Sequence, residues 1–251
     1  MSFFDLSGKT AIVTGAGRGL GSAIAIGLAK AGADIALVSN STPATEVANT
    51  IEALGRKAIT IQADVSDRSK LPGIIKQTLE GLGRLDILVN NAGIIRRTPA
   101  ADHSYGDWQD VLDVNLNSVF VLCQLAGKHM IEQGSGKIIN IASMLSFQGG
   151  INVPGYTASK HAVAGLTKAL GNEWAPKGVQ VNAIAPGYMS TDNTEALRED
   201  PVRSKQILDR IPAARWGTAE DMMGPAIFLA SQASDYMAGH VLCVDGGWMN
   251  R

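Results

Sequence analysis

The chain is expected to fold as an α/β protein, a doubly wound parallel sheet of seven strands with helices on both faces. Three observations predict this. Short apolar runs alternate with longer helix-patterned segments through most of the 251 residues. The runs are continuously apolar rather than alternating, as in strands covered on both faces. A glycine-rich turn also leads from the first run straight into the first helical segment. The strand candidates are Thr10–Val13, Asp34–Val38, Lys57–Gln62, Leu85–Val89, Lys137–Ala142, Val179–Ile184 and His240–Val244, each bounded by Gly, Asn, Asp or Pro.

The turn after the first strand is Thr14-Gly-Ala-Gly-Arg-Gly-Leu-Gly21. Gly15, Gly19 and Gly21 let the chain turn tightly, and the backbone N–H groups around Arg18 and Leu20 then face an anion at the positive end of a helix. Strand before and helix after make this a dinucleotide-type turn. The helix that follows repeats Leu20, Ala23, Ile24, Gly27, Leu28 and Ala31 at helical spacing and stops at Gly32. The second strand ends Leu37-Val-Ser-Asn-Ser41, with no Asp or Glu for the hydroxyls of an adenosine ribose. Ser39, Asn40 and Ser41 are donors suited to a 2′-phosphate, and Arg18 is a cation suited to neutralise it. These residues therefore leave NAD and NADP both open.

Asp64 and Val65 close the third run. Asp64 reads equally as an acceptor for an adenine amine and as a cap for a helix beginning near Ser66. The fourth run ends in Asn90-Asn-Ala-Gly93, where carboxamides brace neighbouring backbone and Gly93 leaves room for a ligand. Asn115 falls inside a predicted helix, a poor place for Asn unless its side chain or carbonyl is used; an interhelical hydrogen bond is the plainer account.

Ser143 follows the fifth run, and Tyr156 and Lys160 stand four apart on one helix face. Bringing a phenol from pH ~10 to neutrality takes about 3 units, roughly 4 kcal/mol. One cation about 4 Å away at an effective dielectric of ~20 supplies about that before desolvation subtracts. Lys160 alone is barely sufficient, and a second positive charge, such as an oxidised nicotinamide, makes a tyrosinate base workable. Ser143 adds a hydroxyl donor to the same oxygen. Pro186-Gly187 breaks the chain after the sixth run, and the polar stretch from Tyr188 to about Pro212 is read as a helical insertion at about 188–212, a mobile lid. Residues 1–251 otherwise read as one domain, without repeats or a linker.

Bulk properties narrow the function. The formal net charge is −1, with Lys and Arg spread rather than blocked, which points away from nucleic acid and membrane surfaces. No apolar stretch reaches ~18 residues, and the N-terminus lacks a secretory pattern. Cys123 and Cys243 read as two buried thiols of a reducing compartment, so a cytoplasmic location is expected. His103, His129, His161 and His240 lack metal-ligand spacing, so no metal is expected. Trp108, Trp174, Trp216 and Trp248 read as scattered packing residues. Ser143 has no nucleophile-elbow context, which argues against acyl transfer.

In order and spacing, Thr14-Gly-x-x-x-Gly-x-Gly21, Asn90-Asn-Ala-Gly93, Asn115, Ser143, Tyr156-x-x-x-Lys160 and Pro186-Gly187 resemble the short-chain dehydrogenase/reductase family over essentially the whole chain. That resemblance implies a Rossmann-like sheet and an NAD(P)-dependent oxidoreductase with a tetrad of Asn115, Ser143, Tyr156 and Lys160. Tyr156 would exchange the substrate proton, and Lys160 would lower the Tyr156 pKa and hold the nicotinamide ribose. Ser143 would orient the carbonyl, and the Asn115 backbone would anchor a relay water. It further implies cofactor contacts from Asn91, Ala92, Gly93, Pro186, Gly187 and Thr191, and a homotetramer.

A narrower resemblance lies in Ile141-Ala-Ser-Met-Leu-Ser-Phe-Gln-Gly-Gly150, Ala185–Thr194, Ile207–Gly217 and Val244-Asp-Gly-Gly-Trp248. These segments are similar to the 2-deoxy-D-gluconate 3-dehydrogenase group, also called 2-dehydro-3-deoxy-D-gluconate 5-dehydrogenase, which implies NAD and a deoxy sugar-acid substrate at Ser143, Gln148 and Tyr156. Such a substrate needs a cation for its carboxylate. Arg96 is the expected partner, with Arg97, Arg210 and Arg215 also available. The alternatives are a gluconate 5-dehydrogenase, a 3-oxoacyl carrier-protein reductase, or a dinucleotide-binding regulator without turnover.

Overall fold

In the computed structural model, which describes residues 3–41 and 43–251, seven parallel strands form one sheet. They are β1 Thr10–Thr14, β2 Asp34–Ser39, β3 Ala58–Gln62, β4 Ile87–Asn90, β5 Gly136–Ile141, β6 Val179–Pro186 and β7 Val241–Val244. Each expected strand is present, with ends moved by one or two residues. The helices are α1 Gly19–Lys30, α2 Thr45–Ala53, α3 Leu71–Leu82, α4 Tyr105–Leu112, α5 Ser118–Gln133, α6 Pro154–Trp174, α7 Glu195–Glu199, α8 Pro201–Arg210 and α9 Met223–Ala230. The beginning of the N-terminal reading, at residues 1 and 2, lies outside the described residues.

The continuous apolar runs are explained by two cores. Val13, Ile35, Leu37, Ile87, Val89, Ile139 and Ile184 pack beneath α1, α2 and α9. Their alternates Ile12, Ala36, Val38, Leu88, Ile138 and Val181 pack beneath α3, α5 and α6. Both faces are therefore covered at the centre of the sheet. The edges differ: β3 is half-exposed, and so is β7, where Cys243 is exposed rather than buried as expected. An outermost strand lacks a neighbour on one side. Cys123, within α5, is buried, and burial pushes its thiol up to about 12.

The strand order is β3-β2-β1-β4-β5-β6-β7, so the winding reverses between β1 and β4. There the loops at the carboxyl ends of the two strands diverge and open a crevice. The opposite end of the sheet is closed by charge. Asp86 is buried, and its carboxylate accepts two bonds at 2.7 Å from Arg84 and one at 2.9 Å from the Thr10 N–H. Burial by itself would raise the Asp86 pKa. The Arg84 hydrogen bonds, the Thr10 N–H and the nearby Lys9 outweigh it and hold the carboxyl below its ordinary range.

A folded-state carboxyl pKa below the unfolded value contributes stability that is present above about pH 4 and lost as pH falls further. Asp86→Ala should therefore lower the unfolding free energy by about 2–3 kcal/mol at pH 7. In urea titrations from pH 7 to pH 3 the difference from the parent should shrink at the acid end.

Candidate active site

The crevice begins at the glycine turn. Gly15 has φ +65°, and a Cβ on Gly21 would collide with the Gly15 carbonyl and the Asn91 carboxamide, so the turn closes only with glycine at both positions. Asn91 braces it, its Nδ2 donating to Thr14 O at 2.9 Å. The Thr14 hydroxyl accepts from the N–H groups of Asn91 and Ala92, each at 3.0 Å. Thr14 thus joins the two strands at the switch point, a role that its place as the first letter of the glycine motif could have signalled. The first turn of α1 carries no acidic residue, and Arg18 at its N-cap makes no side-chain cap, which leaves the positive helix end available to an anion.

From the turn a cleft of about 380 Å³ runs inward. Its walls bring together Gly15, Arg18, Gly19, Leu20 and Gly21, then Ser39 and Asn40, then Asp64 and Val65, then Asn91, Ala92 and Gly93, and finally Tyr156, Lys160 and Thr191. Ser41, Ile94, Ile141 and Asp192 also line it. Ile94 and Asp192 were missed, although each directly follows an identified residue. Pro186 and Gly187 do not line the cleft. They end β6, where the Gly187 N–H donates to Val244 O at 2.9 Å and a Cβ would strike Asp245.

Asp64 serves a local turn rather than a helix cap. Its Oδ1 accepts from the Ser66 N–H at 2.9 Å and the Ser66 hydroxyl at 2.7 Å, and these bonds hold the carboxyl below its ordinary value. The short 3-10 turn that follows is capped by Asp67. An open turn at the mouth, donors from Ser39 and Asn40, and a length running from the positive helix end to an ammonium suit a dinucleotide.

At the inner end, Ser143, Tyr156, Lys160 and Asn115 converge. Ser143 follows β5 directly, and its Oγ accepts from the Leu145 N–H at 3.1 Å. Tyr156 sits in the first turn of α6 with Lys160 one turn on, and the Lys160 ammonium lies 5.5 Å from the phenol ring centre. That ammonium is buried and donates to Ile141 O at 2.6 Å. Burial lowers its pKa to about 8. The expected lowering of the Tyr156 pKa by Lys160 is not met. Burial pushes the phenol above its ordinary value, against opposing effects from a hydrogen bond with Ser143 and the positive charge of Arg97. The Lys160 ammonium is itself desolvated and bonded to a carbonyl, which weakens its hold on the phenol.

Asn115 occupies a π-helical turn, Asp113–Asn117, between α4 and α5. Its Oδ1 accepts from the Ile94 N–H at 2.8 Å, and its Nδ2 donates to Ile94 O at 2.9 Å and to the Ser159 hydroxyl at 3.3 Å. The interhelical bond and the use of the carboxamide both exist, and together they fix the backbone just past Gly93.

Beyond the tetrad, Gln148 is half-buried on the turn after Ser143. Arg96 is not aimed at this site: it pairs with Asp107 and Asp110, each at 3.4 Å. Arg215 is held by two bonds to Asp221, and Arg210 stacks 4.0 Å over the Trp248 ring. Arg97 is the arginine whose charge acts on Tyr156. The tryptophans are not all scattered. Tyr188 contacts Trp216 and Trp248 edge-on at 5.6 and 4.7 Å, and Met144, Ile207 and Ile211 join that cluster, seating α8 beside the Ser143 turn. Sequence spacing gave no signal for this, since its members come from four separate segments. Among the described residues no group of acidic, His or Cys side chains is placed to hold a metal, and no helix is long and apolar enough to cross a membrane.

Comparison with known proteins agrees with this geometry. The chain is 57% identical over 248 residues to the 2-dehydro-3-deoxy-D-gluconate 5-dehydrogenase of Bacillus subtilis, covering 99% of this chain and 97% of the relative. It is 54% identical to the protein of that name from Escherichia coli, covering 100% and 99%. A crystal structure of a gluconate 5-dehydrogenase from Burkholderia cenocepacia, in complex with NADP and tartrate, superimposes with a TM-score of 0.93 at 40% identity, covering 99% of this chain and 98% of that one. Residues 9–202 match the family described as short chain dehydrogenase, and the chain belongs to that family.

Proposed function

We propose that the protein is an NAD(P)-dependent oxidoreductase that interconverts a secondary alcohol and a ketone on a deoxy sugar acid of the 2-dehydro-3-deoxy-D-gluconate or 2-deoxy-D-gluconate type. The observation that carries this reading is that Tyr156 and Lys160 line the inner end of a cleft whose outer end is an open helix N-terminus, with Ser143 hydrogen-bonded to Tyr156. The relatives named 2-dehydro-3-deoxy-D-gluconate 5-dehydrogenase support the substrate class. The NADP held by the Burkholderia structure supports a dinucleotide and keeps NADP beside NAD.

The cofactor would lie along the glycine turn, Ser39, Asn40 and Asp64, with its reactive end towards Asn91–Gly93, Lys160 and Thr191. When bound it supplies the two-electron exchange and, in its oxidised form, a positive charge. Tyr156 gives its phenolic proton to the substrate oxygen in reduction and takes it back in oxidation. Ser143 donates to the same oxygen and orients it. The ammonium of Lys160, buried beside the phenol, resupplies its proton, while the Ser143 hydrogen bond and the charge of Arg97 oppose the effect of burial on the phenol. Asn115 acts by holding Ile94, and a relay water at its backbone completes the path to solvent. Gln148 faces the sugar hydroxyls, and Arg97 rather than Arg96 receives the substrate carboxylate. Residues 188–212 form the lid, seated on Trp248. Tyr105 and Phe120, exposed on α4 and α5, and the uncovered β7 edge support self-association, for which a homotetramer is the state the family resemblance implies.

Three measurements test this reading. A substrate screen that follows absorbance of the reduced nicotinamide should give turnover on deoxyketogluconates well above gluconate and acetoacetyl substrates, and Tyr156→Phe should cut it about 1000-fold while cofactor affinity stays within a few-fold. Comparable rates on an acyl substrate would favour the carrier-protein reductase instead. Arg97→Ala should lower kcat/KM for the sugar acid by about 10- to 100-fold, as loss of a charged hydrogen bond does, and leave a neutral ketone little affected.

Lys160→Met should abolish turnover yet raise the unfolding free energy at pH 7 by about 1–2 kcal/mol. A lysine pKa lowered to about 8 means the folded state resists the proton. The cost is full below pH 8 and is relieved as pH rises towards the unfolded value of about 10.4. Equilibrium unfolding at pH 7 and pH 10 should show the gap between variant and parent narrowing.

A further inference from the structure

We infer that Asp192 is a positioning residue for cofactor choice: its carboxylate holds Arg18 and competes for that guanidinium with the 2′-phosphate that distinguishes NADP from NAD. The inference rests on the reading of the cleft as a nicotinamide dinucleotide site. Arg18 Nη1 lies 2.7 Å from Asp192 Oδ2, an ion pair between the glycine turn and the start of the helical segment after β6. Both residues line the cleft, and their side chains are 71% and 70% exposed, so neither is fixed by packing. Arg18 makes no cap bond to its own helix, so its side chain is free of the helix end when it leaves Asp192.

Charge bookkeeping within the cleft makes Arg18 decisive. Of the cationic side chains lining it, Lys160 is bonded to Ile141 O deep inside, which leaves Arg18 at the mouth. The end of β2 and the turn after it offer Ser39, Asn40 and Ser41 as donors, and the nearby Asp64 carboxylate is already engaged by Ser66 and the Asn40 side chain. Of the two acids lining the cleft, Asp192 is the one that pairs with Arg18 and so bears on that phosphate through it. An exposed pair of this kind is worth no more than about fivefold in an equilibrium constant. A phosphate monoester carries about −1.5 to −2 charges against −1 for the carboxylate, so exchange favours the phosphate. Asp192 therefore lowers the preference for NADP by a few-fold without abolishing it. When the 2′-phosphate captures Arg18, the link to the segment after β6 opens; when NAD binds, it stays closed.

The test is fluorescence titration of the full chain with NADH and with NADPH, comparing Asp192→Asn, Asp192→Glu, Arg18→Gln and the Arg18→Gln/Asp192→Asn double variant. Asp192→Asn should tighten NADPH about threefold and leave NADH unchanged or weaker, so the ratio of the two dissociation constants moves. Asp192→Glu should restore the parent ratio, and the Asn substitution should leave the ratio unmoved once Arg18 is gone. Raising sodium chloride to about 0.5 M should shrink the difference between parent and Asp192→Asn. An equal change for both cofactors, or the same change in the Arg18→Gln background, would overturn the inference. Failure of the parent to bind either reduced cofactor would overturn the dinucleotide reading itself.

Discussion

A cation buried without a carboxylate partner is the constraint on which the rest of this structure turns. The Lys160 ammonium donates to a backbone carbonyl, Ile141 O, at 2.6 Å. A buried charge is tolerated when it is hydrogen-bonded and its surroundings are held rigid. The molecule supplies that rigidity beneath it. Asn90 on β4 donates to Asn140 on β5 at 2.9 Å, and Asn140 donates to Thr167 on α6 at 3.0 Å. Thr167 lies two turns beyond Lys160, and Asn140 directly precedes Ile141. One chain of buried hydrogen bonds therefore sets where the helix bearing Tyr156 and Lys160 sits against the strand that leads to Ser143.

Rigidity on this side is matched by openness on the other. Tyr156 and Lys160 are carried by α6, Asn115 by the π-helical turn and Ser143 by the turn after β5, with Ser143, Lys160 and Asn115 buried, whereas Arg18, Asn40 and Asp192 stand exposed at the mouth. Chemistry that needs a phenol, a hydroxyl and an ammonium in fixed relation belongs on the packed elements. Recognition that has to admit and release a large anionic ligand belongs on the turns, where exposed pairs exchange at little cost.

Local chemistry made much of this legible. The glycine turn is visible because only residues without a side chain pass so close to Asn91 and to each other. The central strands are visible because their two faces are buried in separate cores, which leaves no polar alternation to confuse them with loops. The four-residue spacing of Tyr156 and Lys160 reads directly as one face of a helix. Partner choice among charges was not legible in the same way. Arg96 and Arg97 are neighbours of the same type, yet one is taken by Asp107 and Asp110 and the other acts on Tyr156.

The sequence by itself determined the order of strands and helices, the glycine turn and the shared helix face of Tyr156 and Lys160, because each is written in short-range spacing or in the polarity of a single segment. The tertiary structure decided the direction of the Tyr156 and Lys160 pKa shifts, the exposure of Cys243, the aromatic seat under α8 and the pairing of Arg18 with Asp192. Those depend on desolvation and on contacts between segments far apart in the chain, and neither quantity exists until the backbone has folded.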